Sequence, residues 1–459
     1  MTTTARNRPP KRRNRPLKNR SSRCSRASSP TSSESPSPVR SRNDILVVGA
    51  GAAGLATAIF TRRLSPNQSV LLLDGAKKPG AKILVSGGSR CNVTNVTVDE
   101  TDFWGGPRSV VRRVLRGLSV RDTIAFFEQL GVRLHEEAGG KLFPDSNRSR
   151  DVLNALLREA DACGVRLHAD HRVADVVPAD GRFRVVTSHG DFDAGAVVLA
   201  TGGQSLPKTG SDGAGYGIAQ RLGHSIIATT PGLAPLLLAD DDDLHRELSG
   251  VAQHVELTLW VDGSAAVRLE GPLLWTHFGI SGPAALDASR HWLRAALEGT
   301  NPRLTVSFCP GVPFDDLDRR WTTRAVERPK ASIQSALATM VPASVAAALL
   351  RRLRIDANVA LAHFGRDDRR RLVQALLAWP LPVIGSRGYN YAEVTAGGVP
   401  LTEIDPGTME SRVCPRLFLV GEILDVDGRL GGFNFQWAWS SARVAAKALA
   451  GLQTAEHLA

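Results

Sequence analysis

Hydrophobic and polar positions alternate between several distinct regimes along this chain, and the clearest boundary lies near its start. Residues 45–55 read Ile-Leu-Val-Val-Gly-Ala-Gly-Ala-Ala-Gly-Leu, an apolar run that gives way to glycines at 49, 51 and 54. Such a run fits a strand covered on both faces. Residues 52–64 then have helical character, and residues 69–73 (Ser-Val-Leu-Leu-Leu) read as a second strand. Residues 75–95 are polar, rich in glycine, and too irregular for a strand or a solvent-facing helix. Residues 151–163 place Val152, Leu153, Leu156, Leu157 and Ala160 on one helical face. Short β-type segments follow at 165–168, 173–177, 183–187 and 196–200, separated by Asp180-Gly181 and His189-Gly190 turns. This predicts a small antiparallel meander that returns the chain to the main sheet and ends in Ala200-Thr201-Gly202-Gly203.

The character changes over residues 205–378. β-like stretches at 255–261 and 304–308 surround a Gly/Pro-rich section at 273–283, whereas 315–378 has helical patterning. A further apolar strand at 417–420 enters Gly421-Glu422, and Gly431-Gly432 leads into a helix over 440–449. The predicted organisation is a basic Ser/Arg/Pro tail (1–43), a nucleotide-binding part (44–204), an inserted β-rich domain (205–314), an inserted helical subdomain (315–378), a return segment (379–391) and a second nucleotide-binding part (392–455).

The glycine spacing carries chemistry. Gly49 permits the tight turn, Gly51 lets backbone approach a phosphate, and Gly54 lets the helix pack close to the strand, with phosphate at the helix N-terminus. Asp74 stands 20 residues beyond Gly54, where a carboxylate holds a ribose hydroxyl. In the 75–95 stretch, backbone amides with Lys82, Ser86, Gly87, Arg90 and Asn92 suit a pyrophosphate or a ring system, and a solvated basic loop is the plainer alternative.

Charge and cysteine usage narrow the classes. Of the net charge of +12, the tail carries +11, with ten serines, six prolines and one acid, so the body is nearly neutral. Such a tail cannot bury enough surface to offset its ordering entropy and is expected to be disordered. Its Arg/Ser richness resembles an organelle transit peptide, but no amphipathic pattern is present; a basic arm touching nucleic acid or anionic surfaces weakly is the other reading. The five cysteines show neither CxxC pairs nor metal spacing. A reducing compartment, no disulfide framework, no membrane span and a cytoplasmic location are expected.

The N-terminal fingerprint, the Ala-Thr-Gly-Gly and the late Leu-Val-Gly-Glu together resemble flavoproteins of the glutathione-reductase fold. Within them the chain is similar to the BaiN-like and aminoacetone-oxidase-like FAD enzymes. Residues 86–95, 275–283, 392–398 and 421–441 carry that likeness. The family usually has glycine where Ser89 and Ala442 stand. The resemblance implies an α/β, Rossmann-like FAD-binding domain interrupted by a β-barrel-like plus helical insert. It implies extended FAD with its pyrophosphate at Gly49, Gly51, Ala53 and Gly54, and its ribose at Asp74. The adenine would lie near the Val173 backbone, Thr201 and Gly202 would make sheet-end contacts, and Gly421 and Glu422 would meet the ribityl chain. Gly432, Asn434, Phe435 and Gln436 would lie near the flavin ring.

If FAD is bound, the ring supplies the redox chemistry and the protein supplies position and electrostatics. Cys91 lacks a neighbouring cysteine and reads as a packed small residue beside the cofactor rather than half of a redox disulfide. His277, in Thr-His-Phe-Gly-Ile-Ser-Gly-Pro, is the candidate catalytic histidine, delivering a proton or else fixing the loop by hydrogen bonds. Residues 210–217 are glycine-rich but follow no apolar strand, so no separate NAD(P)H domain is expected and NADH or NADPH would dock transiently. The expected function is an FAD-dependent oxidoreductase acting on a small organic substrate, by NAD(P)H-driven reduction of an activated C=C bond or by oxygen-linked amine oxidation. The alternative is an FAD-containing RNA-binding or RNA-modifying protein using the basic arm.

Overall fold

The computed structural model describes residues 42–240 and 243–456. The basic tail therefore lies outside the described residues, except that its last two positions open the first strand. That strand, β1 (Arg42–Val48), has Ile45, Leu46, Val47 and Val48 buried, because neighbouring strands pair with it on both edges and the helix Ala52–Leu64 packs on it. It runs parallel to β2 (Val70–Leu73) on one side and to the strand Gly190–Leu199 on the other. The strands Arg166–His168 and Leu417–Leu419 extend this parallel sheet at its two ends. Arg166–His168 therefore belongs to the main sheet, not to the meander in which the sequence placed it; its pairing with β2 is invisible in local alternation. The meander itself consists of Val173–Ala179, Arg182–Thr187 and the first half of Gly190–Leu199.

Helix α1 (Ala52–Leu64) packs against the C-terminal helix Phe433–Glu456. Two buried threonines in α1 are satisfied within the helix, Thr57 Oγ1 donating to the Ala53 carbonyl and Thr61 Oγ1 to the Thr57 carbonyl, each at 2.7 Å. This allows polar residues to sit on a fully buried face.

The glycine-rich 75–95 stretch contains a helix that was not expected, α2 (Ala81–Ser89), whose regular part stops at Ser86. The Ile83 and Leu84 amides close its first turn on the Gly80 carbonyl, and burial of Ile83 and the 2.8 Å bond from Ser149 Oγ to the Leu84 carbonyl add tertiary contacts. Gly87, Gly88 and Ser89 then take φ of 54°, 67° and 67°. Ser89 thus adopts the left-handed conformation that glycine would take at lower energy.

A second hydrophobic core runs from Leu236 to Leu381. It is built on an antiparallel seven-stranded sheet whose long members are Ala252–Val261 and Ser264–Thr276, the latter taking in the start of the Gly/Pro-rich section, which continues through a turn into the strand Gly279–Ser281. Helix Pro283–Leu297 packs on this sheet, and helices Phe314–Glu327, Ala343–Leu353 and Arg366–Leu377 complete the insert. The expected insert began at 205, but Tyr216, Ile218 and Ala219 of the helix Ala214–Arg221 belong to the first core. The chain leaves and re-enters that core through an antiparallel ribbon, Ile227–Gly232 against Val394–Gly398.

Candidate active site

The ends of the parallel strands open on one large cavity of about 880 Å³, near the top of the range for ligand pockets. Its floor is the glycine turn after β1. Gly49 has φ +101°, and a Cβ there would lie 2.5 Å from the Ala200 carbonyl oxygen. At Gly54 a Cβ would fall 1.8 Å from the Gly49 oxygen, so this residue packs helix on strand and does not line the cavity. Gly51 differs from both: a Cβ there would meet nothing within 4 Å. Helix α1 opens at Gly51 without a side-chain cap, so its N-terminus faces the cavity as a place for an anion.

Asp74 lines the cavity with its carboxylate already braced. Oδ2 accepts from the Ala50 amide at 2.7 Å and Oδ1 from the Ala76 amide at 2.8 Å. Each oxygen retains a lone pair for a hydroxyl. Glu422 is more heavily engaged. Its Oε2 meets Lys82 Nζ, while Oε1 accepts from Ser205 Oγ at 2.8 Å and from the Thr395 amide at 2.9 Å. Thr395 Oγ1 in turn receives the Gln204 amide at 2.8 Å, tying the loop after Ala200 to the ribbon strand.

At the other end, the start of the C-terminal helix is clamped. Asn434 accepts from the Gly428 amide and donates to the Gly428 carbonyl, both at 2.8 Å. Asn95 Nδ2 donates to the Gly431 carbonyl at 3.1 Å, and Asp287 Oδ1 accepts from the Leu430 amide at 2.7 Å. A Cβ at Gly432 would lie 2.4 Å from the Thr94 backbone, which lets that helix end approach the strand Thr94–Asn95.

Gly49, Gly51, Ala53, Asp74, Lys82, Ser86, Gly87, Arg90, Asn92, Val173, Thr201, Gly202, Gly421, Glu422, Gly432, Asn434 and Phe435 all line this single cavity. Gln436 and Cys91 do not. Gln436 is buried, its amide donating to the Leu118 carbonyl and accepting from Thr94 Oγ1. Cys91 is fully buried, and burial pushes its thiol up to about 12, leaving it inert as a nucleophile or redox group. The four described cysteines are free. His277 is also absent from the lining: it occupies a two-residue hairpin turn between paired Thr276 and Gly279 and is exposed there.

The cavity is also lined by Tyr391, a pocket candidate in the sequence from its place just before Ala392, and by Lys141, Phe143, His171, Arg172, Lys208, Ser211 and Glu393, which the sequence does not single out. Lys141 and Phe143 come from a strand, Lys141–Pro144, in a stretch with no recognisable signal. Glu393 does have one, an acid immediately before the buried strand Val394–Gly398. Glu393 is accessible to solvent through the cavity while protein surrounds it, and this burial raises its carboxyl above the usual range.

The model of the HI0933-like protein Rossmann domain matches residues 43–448. The chain belongs to the HI0933-like family. It is therefore an FAD-binding Rossmann-type oxidoreductase, as the glycine cradle and α1 N-terminus accommodate. Two relatives align almost end to end. A ribosomal RNA dihydrouridine synthase from Escherichia coli (strain K12) is 33% identical over 89% of this chain and 98% of its own length. A 3-dehydro-bile acid delta(4,6)-reductase from Clostridium scindens is 30% identical over 89% of this chain and 99% of its own. Among solved structures, the FrdA chain of E. coli quinol fumarate reductase is similar at a TM-score of 0.49 and 16% identity, over 90% of this chain and 71% of that one. No helix among the described residues is long and apolar enough to cross a membrane.

Proposed function

We propose that this protein reduces a carbon–carbon double bond conjugated to a carbonyl, with NADH or NADPH as transient donor. FAD would lie extended along the cavity, its pyrophosphate at Gly49, Gly51 and Ala53 against the α1 N-terminus, its adenosine ribose at Asp74 and its adenine beside Val173. Thr201, Gly202, Gly421 and Glu422 would border the chain linking the two halves of the cofactor. Gly432, Asn434 and Phe435 would border the ring, which when bound supplies the two-electron chemistry.

The observation that supports the reaction class most directly is the chemistry of the side chains that line the cavity beside the clamped glycines. Lys141, Tyr391 and Glu393 are among its lining residues, supplying a cation, an exposed aromatic ring with Arg387 on one face and an acid to the same cavity. A planar conjugated carbonyl needs that combination: a face to stack on, a positive group for its oxygen, and a proton source. The names of both relatives describe such a change, since forming dihydrouridine saturates a bond beside a uracil carbonyl and the bile-acid enzyme is named for a 3-oxo diene.

A uracil ring presented by RNA is the second reading of the substrate, favoured by the first relative's name and by the arm of net charge +11. The test is anaerobic. NADH or NADPH should bleach the flavin spectrum, and an added enone or ribosomal RNA should restore colour in proportion to reduced product formed. A reduced protein that responds to oxygen alone would overturn the proposal. If only RNA restores colour, deleting residues 1–41 and raising salt will separate arm-mediated attraction from recognition at the cavity.

A further inference from the structure

Of the carboxylates lining the cavity, three already have structural partners. Asp74 holds two backbone amides, Glu422 is shared among Lys82, Ser205 and the Thr395 amide, and Asp212 pairs with Arg172 at 2.7 Å. Glu393 is placed differently. Its backbone is pinned on both sides, the amide donating to the Leu233 carbonyl at 3.3 Å and its carbonyl accepting from Ser205 Oγ at 3.2 Å. Its side chain enters the cavity from the point where the return segment joins the ribbon.

We propose that Glu393 is the residue that donates the proton completing the reduction, an assignment that rests on the double-bond chemistry argued above. Hydride arrives at the substrate's β-carbon, the C=C π pair shifts toward the carbonyl, and the Glu393 O–H bond breaks as a C–H bond forms at the α-carbon. The carboxylate then regains a proton from water, and the electron pair is charged to NAD(P)H, which leaves as NAD(P)⁺. One hydride and one proton are consumed for each double bond saturated.

The surroundings suit that task. Lys141 and Lys82 face Glu393 as cations and favour its ionised form, while Asp287 opposes it, and burial outweighs the cations. Lys141 also approaches the helix start, its Cε 3.6 Å from where a Gly431 Cβ would stand, so Glu393, Lys141 and the clamped glycines share one end of the cavity. A carboxyl whose neutral form is favoured over that of an ordinary carboxylate is the better proton donor. Raising pH through its shifted pKa removes the proton and slows the step.

The test uses holoprotein and 2-cyclohexen-1-one as the probe acceptor. The wild type reduced by NADPH should be reoxidised by the enone with a rate that falls at high pH, and in D₂O should place deuterium on one face of the α-carbon. In Glu393→Gln this step should slow by ~10² or more, lose that pH limb, and scramble or lose the facial selectivity, while flavin content stays at the wild-type level. Glu393→Asp should restore part of the rate. Infrared spectra of the oxidised holoprotein give a readout independent of turnover: a protonated-carboxyl band that Glu393→Gln abolishes, titrating above the ordinary carboxylate range. A Gln variant with wild-type rate, pH profile and deuterium placement, or no such band, would overturn the role of Glu393. A wild type that NADPH bleaches but no enone or RNA reoxidises would overturn the reaction class instead.

Discussion

At the scale of residues, burial decides which groups titrate where. Asp287 is pushed up to about 6 by burial, against the pull of the Leu430 amide, Arg429 and Lys141. A carboxyl with a raised folded pKa binds its proton more tightly in the folded state, so its contribution favours folding at low pH. That contribution is lost as pH rises from the ordinary aspartate value, ~4, through 6. Asp287→Asn keeps an acceptor for the Leu430 amide, so it should flatten the decline of Tm between those limits, an effect on the order of 2–3 kcal/mol. Parallel wild-type and variant melts across that range check this; identical slopes would remove Asp287 as the cause.

The same scale shows what the sequence could and could not disclose. That Gly49, Gly51 and Asp74 would come together at one cavity was legible because backbone angles and spacing, which local sequence encodes, place them there. Glu393 was not, since the protein packed around it and the charges of Lys141, Lys82 and Asp287 come from segments distant in sequence. His277 was misread because a distinctive motif says nothing about which way its loop faces, and a two-residue hairpin turn projects its ring outward.

At the scale of elements, Lys82 of α2 and Glu422 after the strand Leu417–Leu419 join segments 340 residues apart, with Ser205 between them. The pair is partly exposed to the cavity, so its net worth to stability is small, and its value lies in fixing where α2 meets the sheet end. Glu422→Gln should leave Tm within a few degrees yet weaken FAD retention about tenfold or more, as Lys82 loses its counter-charge and swings into the cofactor's path. Equilibrium dialysis against FAD measures this directly. Helix α1 matched its expected bounds residue for residue, whereas the helix expected over 151–163 runs Ser149–Ala162 and that expected over 440–449 runs Phe433–Glu456. The helix α2 was hidden because Ser86, Gly87 and Gly88 interrupt it after little more than one turn.

At the scale of the whole molecule, two cores are joined by the ribbon and by a buried ion pair. Arg290, on the insert helix Pro283–Leu297, makes a bidentate contact with Asp427, including 2.9 Å from Nη2 to Oδ1, and its guanidinium lies 4.9 Å over the Trp104 ring. Their side chains are 9% and 1% exposed, so removing one charge strands the other in the interior. Asp427→Asn should cost about 3–5 kcal/mol and free the insert to open, seen as faster limited proteolysis at the ribbon. A double replacement by apolar residues of similar size should recover most of the stability. The change in periodicity after residue 205 precedes the start of the second core at Leu236, and this clamp pairs residues 137 apart in sequence and leaves no local trace.

The central claim is that the cavity holds FAD for double-bond reduction, and Gly51 offers the cleanest access to it. Its backbone is extended, φ −81° and ψ −166°, a conformation any residue adopts, and a Cβ there would point into open space. Gly51→Val should therefore fold and melt like the wild type while blocking the approach of a pyrophosphate. The measurement is the visible absorption spectrum of both proteins after purification with FAD, before and after anaerobic NADPH. A yellow wild type that bleaches and a colourless Gly51→Val variant of unchanged Tm is the expected result; a colourless wild type, or a variant that binds FAD equally well, would contradict it.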